Sequence, residues 1–114
     1  MPYIKSKERR EKLRNGNTAQ NAGELNYQLF YYYKHYNTSI EILSKIEIAV
    51  KNFLGDKPNY QKYNDLTGVL VRCHREINRR LKLNAKCLLD LLNSYDKEIA
   101  NYEDKKRDEN GDVE

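Results

Sequence analysis

A long amphipathic pattern over Asn64–Arg107 places the strongest constraint on how this chain can fold. Apolar or aromatic residues recur along it with a mean spacing of about 3.6 residues, which is the period of an α-helix. No proline interrupts the pattern, and no glycine follows Gly68 until Gly111. We therefore predict one helix over about 60–107, with a kink or break near Asn84 as the alternative. The positions that define the seam are Leu66, Leu70, Cys73, Ile77, Leu81, Ala85, Leu88, Leu92, Tyr95, Ile99 and Tyr102.

A second apolar seam precedes it and predicts another long helix over about 23–54. The turn at 55–59 ends that helix, because it contains a glycine, which caps helices, and a proline, which cannot continue them. Two long helices around so short a turn form an antiparallel hairpin. Ser6 suits the N-cap of a short helix over about 6–14, and the residues after 107 form an acidic tail. The predicted fold class is all-α, in a single helical domain.

The composition supports helices but predicts incomplete burial. Glycine and proline are scarce, at 5 and 2 residues, which favours helices over a turn-rich β fold. Two helices that each carry one narrow apolar seam leave part of that apolar surface exposed. We therefore expect the chain to form a homo-oligomer, with a dimer as the first expectation. No stretch approaches the roughly 18 apolar residues of a membrane span, and the charged N-terminus lacks the apolar segment of a signal peptide. We expect no membrane association and an intracellular location.

The cysteines and histidines do not indicate a metal or a nucleophile. Cys73 and Cys87 are fourteen residues apart on one predicted helix, which is about 20 Å and too far for a disulfide. Adjacent Cys73 and His74 point about 100° apart, so they do not form a metal-binding pair. The sequence contains no CxxC, no HExxH and no glycine-rich phosphate loop. We predict reduced thiols, no catalytic residue, no metal and no cofactor.

A basic stripe is the clearest candidate for function. Spacings of 3, 4, 3 and 4 residues place five cations on one helical face: Arg72, Arg75, Arg79, Lys82 and Lys86. Aligned cations repel one another unless an anion is near, and a guanidinium suits bidentate contacts with phosphate or carboxylate. The stripe therefore predicts an anion-binding face for a nucleotide-like ligand or nucleic acid. A solvated face, or pairing with acidic surface of another subunit, stays open as an alternative.

Tyrosines cluster in the second predicted helix, where four fall within residues 31–36. Tyr32 or Tyr33 and Tyr36 fit the apolar seam, which leaves Tyr31 facing outward. An exposed tyrosine can stack on a nucleic-acid base, so Tyr31 joins the predicted binding residues. Core packing together with a subunit interface is the alternative interpretation.

Six short blocks occur in order along the chain: Met1-Pro2-Tyr3-Ile4, Gly23-Glu24-Leu25-Asn26-Tyr27, Asn64 with Gly68-Val69-Leu70, Glu76 with Arg79-Arg80, Tyr102-Glu103-Asp104-Lys105 and Asn110-Gly111-Asp112-Val113. In this order they resemble a family of short uncharacterised proteins common in phage genomes and prophages. Compared with that family, the chain is extended after Tyr27 and between Arg80 and Tyr102. The resemblance implies no activity, but it implies a viral or prophage context and the cytoplasm of an infected or lysogenic bacterial host.

The polar members of these blocks need partners if they are buried, because burying an unpaired polar group is costly. They are Glu24, Asn26, Tyr27, Glu76, Arg80, Tyr102 and Asp104. A Glu76–Arg80 pair or a Glu24–arginine network would explain them structurally, and a held ligand would explain them functionally. We expect a non-catalytic, phage-type accessory protein that binds an anionic partner through the basic stripe. The alternative is a structural or protein-interaction module without a small ligand.

Overall fold

The structure, a computed structural model, describes residues 4–110 of the chain. Within that range it contains no β-strand and five α-helices: α1 (Lys7–Arg14), α2 (Ala22–His35), α3 (Ser39–Leu54), α4 (Tyr60–Leu81) and α5 (Lys86–Asn110). The predicted all-α class is confirmed. The acidic end of the chain continues α5 as far as Asn110. Residues 1–3 and 111–114, with parts of the first and last sequence blocks, lie outside the described residues.

The single helix predicted over 60–107 is wrong, because the chain breaks between α4 and α5. Lys82 adopts the left-handed conformation, with φ 57° and ψ 31°, and ends α4. After the break, α5 runs back along α4, so the ring of Tyr63 meets the ring of Tyr102 with centroids 5.2 Å apart. The break near Asn84, stated as the alternative, is the arrangement that forms.

Burial of the α5 seam explains the break. Ala85 and Leu88 are fully buried where α5 folds back. The rest of the seam is half-buried against the core, at Leu91, Leu92, Tyr95, Ile99 and Tyr102. A non-glycine residue in the left-handed conformation costs about 1–2 kcal/mol, whereas burying even one leucine contributes about 1.5–3 kcal/mol. A straight rod would leave the whole α5 seam in water, so folding back is favoured.

The helix predicted over 23–54 is also wrong as one element. Two residues between α2 and α3 have extended backbone conformations. Tyr36 has φ −106° and ψ 145°, and Thr38 has φ −109° and ψ 145°. The Thr38 hydroxyl then accepts a hydrogen bond from the N–H of Glu41, at 3.2 Å, and caps α3. Threonine followed three residues later by glutamate is a recognised helix-start signature. The sequence therefore contains a signal for a helix start at Thr38, although the apolar spacing continues across it.

These two breaks replace the predicted hairpin of two long helices with a bundle inside one chain. α2 contacts α1, α3 and α4, and α4 contacts α2, α3 and α5. Contacts between α2 and α4 advance in the same direction along both helices: Ala22 shares a groove with Asn64, and Phe30 lies 4.7 Å from the guanidinium of Arg80. α2 and α4 therefore run parallel, and α5 covers apolar surface that a second subunit was expected to cover.

The break also changes the expected separation of the two thiols. Cys73 on α4 and Cys87 on α5 now lie on neighbouring helices beside Tyr33, whose hydroxyl contacts the sulfur of Cys87. Both cysteines are free thiols. Burial, then the charges of Glu76 and Cys87, raises the pKa of Cys73 to about 12. The separation of about 20 Å along one rod is therefore wrong, and Cys73 is a buried, neutral thiol.

Candidate functional site

A groove of about 310 Å³ opens between the parallel helices α2 and α4. We call it the α2–α4 groove, and its lining includes Gly23, Asn26, Asn64, Asp65, Gly68 and Arg72. On α4 the residues Asn64, Gly68 and Arg72 follow one another at intervals of four, so a single face of that helix forms one wall. The volume is at the lower end of the range for small-molecule sites, about 300–1,000 Å³.

Gly68 keeps the groove open. A Cβ atom at this position would meet nothing within 4 Å, so a side chain would project into free space. Glycine inside a helix costs about 1 kcal/mol relative to alanine. The fold therefore carries a local destabilisation at the point where a side chain would fill the groove.

The carboxamide of Asn26 is the least satisfied polar group in the groove. Its Oδ1 atom is buried and accepts no hydrogen bond from the described residues. Leaving such an acceptor unmatched costs about 1–3 kcal/mol, and most buried polar groups in native proteins have a partner.

Two charged groups stand on the α4 wall. The carboxylate of Asp65 accepts a hydrogen bond from Gln61 Nε2 at 2.7 Å. The exposed guanidinium of Arg72 makes no ion pair or hydrogen bond within residues 4–110, and the same holds for Arg75 one turn further on. The groove therefore has an unpaired cation at its rim, one carboxylate on its α4 wall and an otherwise mainly apolar exposed lining.

The five residues of the predicted basic stripe do not lie on one helix. Three remain on the exposed face of α4, which we call the α4 arginine face: Arg72, Arg75 and Arg79. Arg79 is already paired with Glu76 at 2.9 Å. Lys82 is the left-handed residue that ends α4, and Lys86 begins α5 beside a different cavity. The assumption that all five stand on one unbroken helix is wrong, because α4 ends at Leu81; their role in binding stays a prediction.

Tyr31 lies on the other flank of α2, against α1. Its ring stacks on His35 with centroids 4.4 Å apart and on Tyr27 at 6.5 Å. Arg14 of α1 lies 5.1 Å from the centroid of Tyr31 and donates a hydrogen bond from Nε to the hydroxyl of Tyr27 at 2.7 Å. Tyr31 is half-buried in this cluster and does not line the α2–α4 groove.

Glu24 fixes α1 against the start of α2. Arg9 donates from Nε to one carboxylate oxygen at 2.7 Å and from Nη2 to the other at 2.6 Å, and the backbone N–H of Gln20 donates at 2.9 Å. The hydrogen bond from Arg9 is the main cause that holds the pKa of Glu24 below its usual range. The Glu24–arginine pairing predicted from the sequence is present, and it positions α2 beside the groove.

The other expected pairing, Glu76 with Arg80, is wrong. Glu76 pairs with Arg79, whereas the guanidinium of Arg80 lies 4.7 Å from the ring of Phe30 on α2. Stacking of a cation on an aromatic ring is favourable, and this contact joins α2 to α4. Arg80 therefore stabilises the helix pair that forms the groove.

The remaining block residues lie on the α4–α5 side of the bundle. Tyr102 packs against Tyr63, whose hydroxyl donates to Glu98 at 3.1 Å. Burial, followed by that hydrogen bond, raises the pKa of Tyr63 to about 12. Asp104 is exposed and pairs with Arg107 on the same helix. Tyr102 and Asp104 are therefore not brought together with Asn26.

Among residues 4–110, no group of three or more His, Cys, Asp or Glu side chains is arranged to hold a metal ion. In the same range, no helix combines the length and apolarity that crossing a membrane requires. Sequence reasoning missed Asp65 and the gap at Gly68 as parts of a site, since no local signal showed that α2 and α4 meet there.

The fold and the groove define a small all-α protein with an open groove between two parallel helices and an arginine at its rim. Residues 1–113 match the family described as a domain of unknown function, DUF6899. Because the match spans nearly the whole chain, the protein belongs to that family. Comparisons with curated proteins and with solved structures gave no match.

Proposed function

We propose that this protein is a non-catalytic binding protein for a phosphate-bearing partner, which it contacts through the α4 arginine face. The observation that supports this most directly is the state of Arg72 and Arg75. Neither makes an ion pair or hydrogen bond within residues 4–110, whereas Arg9 and Arg79 are both paired with carboxylates. The binding surface is thus smaller than the predicted stripe and is centred beside the α2–α4 groove.

Two features of this pair of arginines favour phosphate. Residues three apart on a helix are neighbours about 5–6 Å apart, and like charges at this spacing destabilise each other slightly. An anion between Arg72 and Arg75 relieves that repulsion. The planar guanidinium also offers a fork of donors that matches the oxygens of a phosphate group.

Binding is tested with a fluorescently labelled single-stranded DNA of about 12 nucleotides, measured by anisotropy at several salt concentrations. We expect affinity to fall steeply between about 50 and 200 mM salt, because phosphate contacts release counterions. The Arg72→Glu/Arg75→Glu variant should bind at least about tenfold more weakly. The matched control is Lys97→Glu/Lys105→Glu, which changes the net charge equally on an exposed face of α5. Equal losses in both variants would mean attraction to overall charge and would contradict the proposal.

A protein-interaction module is the second candidate, favoured by apolar exposure on α3. Ile40 and Ile48 are strongly exposed there. In this alternative Arg72 and Arg75 meet acidic surface of another copy. Light scattering at low and high salt distinguishes the two candidates. An oligomer that dissociates at high salt and does not form in the Arg72→Glu/Arg75→Glu variant supports the interaction module. A monomer at every salt concentration counts against it. The viral or prophage setting and the location in a bacterial host stay predictions from the sequence resemblance.

A further inference from the structure

We infer that a second cavity, between α4 and α5, binds a small linear polyamine. One ammonium group lies at Asp96, another lies at Glu103, and the carbon chain crosses the tyrosine rings between them. This site, which we call the α4–α5 cavity, goes beyond the proposed function. Neither Arg72 nor Arg75 lines it, and its ligand carries the opposite charge to phosphate.

The walls of the α4–α5 cavity are faces of two antiparallel helices. Spacings of three and four residues place the lining residues of each helix on one side of that helix. The volume is about 280 Å³. This lies just below the usual range for small-molecule sites, about 300–1,000 Å³, so the space suits a slim ligand and not a folded partner.

Two carboxylates without a protein partner stand on the α5 wall. Asp96 and Glu103 are exposed and make no ion pair or hydrogen bond within residues 4–110. Lys106, one turn beyond Glu103, pairs with Glu109 at 3.5 Å. The two carboxylates are seven residues apart, which is about 10 Å along the helix. They therefore suit a ligand that carries two separated positive charges.

Aromatic rings lie between the two carboxylates. Tyr63 and Tyr102 meet there with ring centroids 5.2 Å apart and planes tilted by 56°. Tyr60, at the start of α4, is 62% exposed and lines the same space. Such rings attract cations and offer an apolar face to methylene groups. Tyr102 already makes one contact of this kind, because Nζ of Lys106 lies 5.8 Å from its centroid.

A linear polyamine combines the two features that this lining requires. Its ammonium groups pair with Asp96 and Glu103, while its methylene groups cover Ile99 and the tyrosine rings. An inorganic cation would pair with a carboxylate and leave the apolar part of the lining in water. A lysine side chain of another protein would bring one ammonium group for two carboxylates. A phosphate group would be repelled by both carboxylates.

The test is isothermal titration calorimetry on the full chain at constant ionic strength, with spermidine, putrescine, n-butylamine and magnesium chloride. n-Butylamine has the carbon chain of putrescine with a single ammonium group, and it also represents a lysine side chain. Magnesium has the charge of putrescine without a carbon chain. We expect spermidine, whose length best spans the two carboxylates, to bind at least about fivefold more tightly than n-butylamine and magnesium.

Three sets of variants locate the site. Asp96→Asn/Glu103→Gln keeps the size of both side chains and removes their charges, so spermidine should bind at least about tenfold more weakly while Tm stays unchanged. Asp90→Asn/Asp108→Asn is the matched control, since it removes the same charge from exposed positions of α5 outside the cavity. Its affinity should equal that of the unaltered protein. Tyr60→Leu should lose about two- to fivefold in affinity, whereas Tyr60→Phe, which keeps the ring, should lose none.

The possible outcomes also separate this site from the proposed function. Equal affinity for n-butylamine and spermidine would overturn the polyamine site, because a single ammonium group would then be sufficient. Magnesium binding as tight as spermidine binding would overturn it as well. Equal losses in the two double variants would mean attraction to the overall acidity of α5 and would contradict the site. Absence of spermidine binding would refute it and leave phosphate binding by Arg72 and Arg75 standing, since the DNA titration measures that separately.

Discussion

The ion pair between Arg9 and Glu24 allows a quantitative test of how α1 is held beside the groove. Arg9 donates to the two carboxylate oxygens of Glu24 at 2.7 and 2.6 Å and to the carbonyl oxygen of Thr18 at 2.9 Å. Replacing Arg9 with methionine removes all three hydrogen bonds and keeps an aliphatic chain over the same surface. The carboxylate of Glu24 then retains the backbone N–H of Gln20 as a donor.

The expected loss of stability follows from the partial burial of this pair. The side chains of Arg9 and Glu24 are 22% and 11% exposed. Exposed pairs contribute less than about 1 kcal/mol, whereas breaking a fully buried pair costs about 3–5 kcal/mol. Because solvent still reaches both groups and one donor to Glu24 remains, we expect Arg9→Met to lower the free energy of unfolding by about 2–3 kcal/mol. For a chain of this size that corresponds to a fall in Tm of about 10 °C.

Urea unfolding followed by circular dichroism at neutral pH measures the difference, and α1 supplies its own control. Lys12 and Glu8 form an ion pair at 3.3 Å on that helix, with side chains 52% and 79% exposed. Lys12→Met removes the same kind of interaction and should cost less than about 0.5 kcal/mol. If both variants lost the same amount of stability, the strength assigned to the Arg9–Glu24 pair from its burial would be refuted.

Three further predictions concern pH, thiol chemistry and the break. Folding lowers the pKa of Glu24 from its ordinary value of 4.5, so the ionised carboxylate stabilises the fold fully above pH 4.5, and this stabilisation is lost as the pH falls through the folded-state pKa. The difference in free energy of unfolding between the unaltered protein and Arg9→Met, measured from urea midpoints, should therefore shrink in acid. Cys73, fully buried with a pKa of about 12, should resist iodoacetamide in the native protein at about pH 8 and react once urea unfolds the chain, as read by mass spectrometry; equal rates in both states would contradict its burial. Lys82→Gly should stabilise the fold by about 0.5–1 kcal/mol, because glycine adopts a positive φ without strain; a lower Tm would count against the strain assigned to Lys82.

Local signals in the sequence were sufficient for several helix boundaries. The hydroxyl of Ser6 accepts a hydrogen bond from the N–H of Arg9 at 3.2 Å and caps α1. α3 ends at Leu54 and α4 begins at Tyr60, with Gly55 at a positive φ of 73° between them. These boundaries depend on residues within a few positions of each other, so the sequence specifies them directly.

The break at Lys82 depends on distant contacts and has no comparable local signal. Lysine does not favour the left-handed conformation, and the apolar period is the same on both sides of the break. What stabilises the folded-back arrangement is the burial of Ala85 and Leu88 against the rest of the bundle. Periodicity alone cannot distinguish a rod from two antiparallel helices with seams in the same phase.

The site was predictable only in part for the same reason. The arginines of α4 could be assigned to one face from their spacing alone. Their meeting with Asn26 depends on α2 running parallel to α4, which the three-helix path α2–α3–α4 makes possible. In a hairpin folded at 55–59, Asn26 would lie opposite about residue 88, far from Arg72. The boundary at Thr38 was the readable signal that could have excluded that hairpin.

The short connection at 82–85 has a consequence for association between chains. It joins α4 to α5, whose apolar side packs against the rest of the bundle. An identical neighbouring chain presents the same surface, so α5 could pack there equally well. Short, strained connectors of this kind are the usual origin of domain swapping, in which two molecules exchange the same segment. Straightening the connector would then give an intertwined dimer held by the contacts already present in the monomer, with reciprocal exchange of the C-terminal helix.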